Sequence, residues 1–176
     1  MVCCTRCDLA VDRTQVVVGK GPETADLMFV GEAPGADEDR QGEPFVGRSG
    51  RLLDRLFEAN GMDRGEAFIT NIVACRPPGN RNPRVREIRA HAPWIEEQIR
   101  LVEPKIIATL GRVALTYFIP KGKITELRGQ PQTIERNGRS ITLLPLFHPS
   151  AILRRRELLP AMESDFARLA ELLRRA

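Results

Sequence analysis

The sequence predicts an α/β fold: a three-layer αβα sandwich around a central, mostly parallel four-stranded sheet. Two observations carry this. Apolar runs of strand length, Asp26 to Val30, Phe68 to Val73 and Lys105 to Leu110, are each followed by a loop or turn rich in Gly or Pro. Between and after them lie amphipathic helical patterns. Gly50 to Ala59 puts Leu52, Leu53, Leu56 and Phe57 on one face, and Ala161 to Arg175 does the same with Phe166, Leu169, Leu172 and Leu173.

Taken in order, residues 1–15 read as irregular and polar, needing an anchor to be ordered. Val16 to Val18 is a short strand candidate, ended by Gly19, Gly21 and Pro22. Asp26 to Val30 reads as central, and Asn60-Gly61 stops the helix after it. The strand Phe68 to Val73 also reads as central, and the Pro-rich stretch Cys75 to Pro83 excludes regular structure. Val85 to His91 and a second helix opened by Pro93 follow. Gly111 and Arg112 open another helix through Tyr117. Thr133 to Arg136 and Ser140 to Leu144 form a hairpin about Asn137-Gly138, and Phe147 to Ser150 is a second polar loop.

A chain of 176 residues, 42% apolar, fits one domain over residues 1–176 with a real core. The formal charge of +4 is compatible with a polyanionic partner or with a generically basic surface. No stretch is apolar enough to span a membrane, so no membrane partner is expected. Met1-Val2-Cys3-Cys4 lacks the apolar core of a signal peptide, which points to a cytoplasmic protein without structural disulfides.

The four cysteines therefore need another role. Cys4-x-x-Cys7 is a two-ligand clip, with Cys3 adjacent and Cys75 far along the chain. His91, one of two histidines, follows Cys75 by sixteen residues. Three thiols and an imidazole suit zinc, and suit an iron–sulfur cluster in principle.

Gly31 to Gly50 reads G-E-A-P-G-A-D-E-D-R-Q-G-E-P-F-V-G-R-S-G, a glycine-rich turn between strand and helix. It lacks the Lys and Ser/Thr of a nucleotide P-loop and the G-x-G-x-x-G of a dinucleotide fold. Its acids would repel phosphate. Glu32 and Glu38 could instead orient water or stabilise a developing cation, and Phe45 could anchor the core or stack on a flat ligand. Asn71 near a strand end offers an amide edge suited to a planar heterocycle. His148 could donate to a leaving-group oxygen that gains charge. Arg81, Arg84, Arg86 and Arg89 form one basic group and Arg154 to Arg156 another, beside the candidate loops, where they suit phosphate contacts. Leu153 is either core or a wedge into a base stack.

Three segments in this order, residues 31–50, T-N-I-V-A-C-R-P-P-G-N-R-N-P at 70–83 and H-P-S-A at 148–151, resemble the family 4, iron–sulfur uracil-DNA glycosylases over essentially the whole chain. The related covalent uracil-binding branch has an added basic, histidine-bearing segment after the first motif, which is missing here. The resemblance implies a DNA repair enzyme that hydrolyses the N-glycosidic bond of deoxyuridine in single- or double-stranded DNA, acting as a monomer. It implies a uracil pocket of Gly31, Glu32, Ala33, Phe45, Asn71 and His148, in which Asn71 reads the uracil edge, Phe45 stacks, and His148 bonds O2. Ala33 stands where better-known superfamily members place a catalytic Asp, which leaves Glu32 or Glu38 to assist. Arg81, Ser150, Leu153, Arg154 and Arg155 would contact DNA. A structural 4Fe-4S cluster is implied on Cys4, Cys7, Cys75 and, in place of the family's fourth cysteine, His91, with Cys3 as the substitute. The rival from the residues alone is a non-catalytic nucleic-acid-binding protein with a structural metal site.

Overall fold

The computed structural model describes residues 1–176. Five strands form one sheet in the order β2-β1-β3-β5-β4, where β1 is Leu27–Gly31, β2 Ala67–Asn71, β3 Ile106–Leu110, β4 Gln132–Arg136 and β5 Arg139–Leu146. The first four in that order are parallel and β4 is antiparallel to β5, so the mostly parallel reading holds with five strands in place of four. The added strand, β4, is the outgoing arm of the hairpin, turned by Asn137 and Gly138, both at positive φ (53° and 74°) as a tight primed turn requires.

β1 is buried along its length because helices cover both of its faces. Leu27 and Phe29 point toward α3 (Arg48–Ala59), α7 (Pro149–Arg154) and α8 (Leu159–Arg175). Met28 and Val30 point toward α4 (Val85–Val102) and α5 (Arg112–Phe118). Alternate residues of one strand thus feed two cores, which is what makes three layers. Phe29, Phe57 and Phe166 meet at the centre of the first core, with ring centroids 5.2–6.2 Å apart.

Three expectations change. β2 is an edge strand, not a central one, and residues 16–20 cover its open side without forming a strand. Lys20 exchanges two backbone hydrogen bonds with Ile69, and Val17 N–H donates to the Ala74 carbonyl. The two helices expected across Pro93 are one, α4, because Glu87, His91, Ile95, Ile99 and Val102 form an unbroken buried stripe. Packing along that stripe outweighs the single hydrogen bond that Pro93 forgoes. Short helices also form at α1 (Leu9–Asp12), α2 (Ala36–Gln41, inside the glycine-rich loop) and α6 (Ile124–Leu127).

Candidate active site

An open cleft of about 780 Å³ lies at the carboxyl ends of the parallel strands. Gly31 ends β1, Asn71 ends β2 beside it in register, Gly111 follows β3 and His148 follows β5. All of these reach the cleft except Gly31, which lies just beneath it.

Gly31 is glycine because its neighbours leave no room. A Cβ there would lie 2.3 Å from Asn71 Oδ1 and 2.7 Å from Phe45 Cζ. Asn71 is 5% exposed, and its Oδ1 is buried without a hydrogen-bond partner. Such an acceptor costs about 1–3 kcal/mol and is left free to accept from a donor in the cleft.

Phe45 forms the adjoining wall, its ring 5.9 Å from that of His148 and tilted by 37°. Its backbone is left-handed, φ 53°, a strained state for a bulky residue. Two contacts hold it there. Arg64 Nη2 donates to the carbonyls of Phe45 and Pro44 at 2.9 and 3.2 Å, while Arg64 is itself paired with Asp54. Gly50 permits the second, since a Cβ at that position would fall 1.8 Å from the Phe45 oxygen.

His148 caps α7. Its Nδ1 accepts from Ser150 N–H at 3.1 Å, with Ser150 Oγ 2.8 Å away. An Nδ1 that accepts a backbone proton puts the ring proton on Nε2. Desolvation, aided by Arg154, pushes the His148 pKa down to about 4, so the ring is neutral at physiological pH.

The two glutamates occupy different settings. Glu38 is bound to its own loop: Oε1 accepts from Val46 N–H (3.0 Å) and Gly47 N–H (2.9 Å), and Oε2 from Gly35 N–H (3.1 Å). Glu32 has no such grip. Burial raises its pKa and Arg112 opposes that rise. With the Asn82 amide nitrogen turned toward Glu32, it donates to Oε1 at 3.2 Å while the amide oxygen accepts from Arg112 Nη2 at 3.0 Å. Neither Asn82 nor Arg112 was singled out for the site in the sequence. The one available signal was their position, in the Pro-rich loop and immediately after a strand.

The model of the uracil DNA glycosylase superfamily matches residues 18–174. This chain belongs to that superfamily. A type-4 uracil-DNA glycosylase of Sulfurisphaera tokodaii is 42% identical over 178 residues, spanning 98% of this chain and 81% of its own. Those of Archaeoglobus fulgidus and Thermotoga maritima are 38% and 44% identical, over 96% and 87% of this chain and 87% and 79% of their own. Within the superfamily the chain is of the type-4 kind.

Like the pocket, the sulfur-bearing end of this type-4 chain is organised by loops. Cys75 is buried, Cys4 and Cys7 are half-buried, and Cys3 is exposed. Cys7 Sγ lies 3.6 Å from His91 Nε2, and the Cys75 pKa is raised by burial first, against the pull of Arg13, with nearby Cys7 and Cys4 adding to the rise. The four donors expected for a cluster therefore share one neighbourhood, although no three metal-binding side chains converge on a single ion position. Glu87 and Asp8 are nearby, but Glu87 is taken up by Arg81 and the Arg84 N–H and Asp8 by Arg86, and the remaining donor set is thiolate-rich, which fits an iron–sulfur group in kind. His91 carries one peculiarity: its Nδ1 accepts the buried Ala74 N–H at 3.1 Å, which leaves the ring proton on Nε2, facing Cys7. Ligation through Nε2 would displace that proton.

Of the expected DNA contacts, Arg154 and Arg155 are exposed at the cleft rim, with Arg155 paired to Glu157. Leu153 is half-buried against the first core. Ser150 is turned to His148, and Arg81 is clamped to the fully buried Glu87 by two hydrogen bonds of 2.8 and 2.6 Å. That clamp holds the Pro-rich loop to α4.

Proposed function

We propose that this protein hydrolyses the N-glycosidic bond of deoxyuridine in DNA, releasing uracil and leaving an abasic site. The observation that carries the proposal is the buried, unpartnered Oδ1 of Asn71 beside Phe45 and across the cleft from a neutral His148. The base leaves the stack to be cut. Asn71 Oδ1 accepts uracil N3–H and its amide N–H donates to O4. Cytosine presents an acceptor and a donor at those positions and meets like with like. Phe45 covers the face of the ring.

As the C1′–N1 bond breaks, its electron pair goes to the uracil ring and charge gathers on O2, where the His148 Nε2–H donates. A neutral donor is suited to a weakly basic anion because it shares its proton without losing it. Positive charge gathers on the sugar. Glu32, held by Asn82 in reach of the cleft, stabilises that cation and orients the water that attacks C1′; the water's proton leaves to solvent, and the departing uracil anion takes one from it. Glu38 fixes the loop that carries Phe45. Arg154 and Arg155 meet backbone phosphates, and Leu153 supports the helix that presents them.

Cys4, Cys7, Cys75 and His91 would hold a 4Fe-4S cluster. When bound, such a group supplies a structural tie among the N-terminus, the Pro-rich loop and α4, and takes no part in bond cleavage. The test is incubation with uracil-containing and undamaged oligonucleotides in EDTA, followed by alkaline cleavage. Strand scission confined to the uracil position is expected. Uncut uracil DNA bound by the protein would favour the non-catalytic nucleic-acid-binding reading instead.

A further inference from the structure

The segment after the cysteine clip is gripped at both ends. Arg13 ends α1, and its Nη1 donates to Cys75 Sγ at 3.3 Å. The next two backbone N–H groups donate to Asp39 on α2. Thr14 N lies 2.9 and 3.2 Å from the two carboxylate oxygens, and Gln15 N lies 3.5 Å from Oδ1. The Gln15 amide adds a bond of 2.7 Å to the Arg40 carbonyl. Asp39 is 3% exposed, and a carboxylate so buried needs donors. The donors it takes fix the course of residues 13–15, and so the direction of the Arg13 side chain.

Cys75 is itself 2% exposed, so water does little to soften charge on its sulfur. A cluster with thiolate ligands is anionic, and reduction adds one more electron. An N–H donor and a positive charge at a ligand sulfur stabilise the reduced form more than the oxidised one, and so raise the reduction potential. They also hold the sulfur in its ligating position. Having His91 where the family has a thiolate removes one negative charge and acts in the same direction.

We propose that Arg13, seated by Asp39, is the supporting cation of the iron–sulfur site, raising the cluster's reduction potential and slowing its loss of iron. This rests on the reading of Cys4, Cys7, Cys75 and His91 as a cluster site. The strap also joins that site to α2, the helix that carries Glu38 and the pocket loop.

The experiment uses anaerobically purified, iron-loaded protein: wild type, Arg13→Gln, Arg13→Lys and Asp39→Asn. Iron and sulfide per chain, the reduction potential by protein-film voltammetry, and the rate of iron stripping by a chelator are measured for each. Arg13→Gln is expected to show a lower potential and several-fold faster iron loss. Arg13→Lys, which keeps the charge, recovers most of the potential, and Asp39→Asn shifts in the same direction as Arg13→Gln. Equal potentials and stripping rates in wild type and Arg13→Gln overturn the proposal. Should Arg13→Gln not load, Asp39→Asn decides in its place, and a wild-type potential there overturns the proposal. Wild-type protein that takes up no iron overturns the cluster reading itself, and that outcome is read without any variant.

Discussion

Replacing each glutamate of the loop by glutamine separates a chemical role from a mechanical one. In Glu38→Gln the new Oε1 can still accept from Val46 and Gly47, but as a neutral group, and the new amide sets N–H against the Gly35 N–H. Hydrogen bonds to a charged group contribute about 1.5–3 kcal/mol and neutral ones about 1 kcal/mol. Losing one bond outright and weakening two, at a half-buried site, gives a destabilisation of about 2–4 kcal/mol. For a domain of this size that lowers Tm by about 5–15 °C. Glu32→Gln removes a carboxylate that burial disfavours and keeps an oxygen for Asn82, so its Tm stays near wild type. Its chemistry should suffer instead: losing one electrostatic group of the transition state costs about 10²–10³-fold in rate. The assays are thermal melting by circular dichroism and single-turnover excision well below both melting points. A Glu38→Gln protein with wild-type Tm and no activity, or a Glu32→Gln protein with wild-type rate, would refute the assignment.

The remaining expectations concern pH, recognition and the metal site. Burial holds the Glu32 pKa above its ordinary 4.5, so Glu32 loses its charge as pH falls through that raised value and the rate falls with it. His148, neutral down to about 4, adds no limb above that pH. Arg112→Gln removes the cation that opposes the shift, and the acid limb in a pH–rate profile should move higher; an unmoved limb counts against Glu32 as the titrating group. Asn71→Ala should lose at least about 10²-fold in excision while its Tm holds or rises, because the substitution also removes a buried acceptor without a partner. Near-wild-type turnover of single-stranded uracil DNA by that variant would sink the recognition role. His91→Cys should retain iron more firmly than wild type, since a thiolate is the stronger ligand for an iron–sulfur group and carries no second ring nitrogen committed to the Ala74 N–H, and His91→Ala should lose the cluster's charge-transfer absorbance. An unchanged spectrum and iron content in His91→Ala would point to Cys3 as the fourth ligand.

The parallel strands were legible because strands buried on both faces read as short, continuous apolar runs, and the hairpin because Asn137-Gly138 satisfies its turn locally. Helix α2 was not legible. A-D-E-D-R-Q has no apolar face, and the helix exists because Glu38 caps it and Asp39 grips a distant segment. The edge position of β2 was hidden for a related reason: residues 16–20 shield it as a strand neighbour would, so its residues are nearly as buried as a central strand's. In the pocket, residue types singled out Asn71, Phe45 and His148, whose chemistry is distinctive, and the fold brings all three to one cleft. They did not rank Glu32 against Glu38, since the difference lies entirely in which backbone N–H groups fold back onto each. Asn82 and Arg112 were missed because their significance arises only where two loops meet.

One stretch of twelve residues, Asn71 to Asn82, joins these features. It begins at the amide proposed to read the base, passes through the buried Cys75, and ends at the amide that turns to Glu32. Backbone bonds to Gly31, Glu32 and Val17 hold its start as far as Ala74, but from Cys75 onward its Pro-rich sequence leaves it only a single 3-10 turn at Pro78–Asn80. Such a segment would carry Asn82 loosely unless something outside the backbone fixed it. Three fasteners do so in succession. Ala74 bonds His91, Arg13 holds the Cys75 sulfur, and Arg81 is bolted to Glu87. A cluster ligated at Cys75 would tighten the middle of that series. Stripping the iron should therefore loosen the grip on Glu32 more than the Asn71 end, which the sheet already holds. Hydrogen exchange on apo and iron-loaded protein would register this as faster exchange across residues 76–82 with little change in β2. Equal exchange in the two forms would leave the cluster without a mechanical part in the pocket.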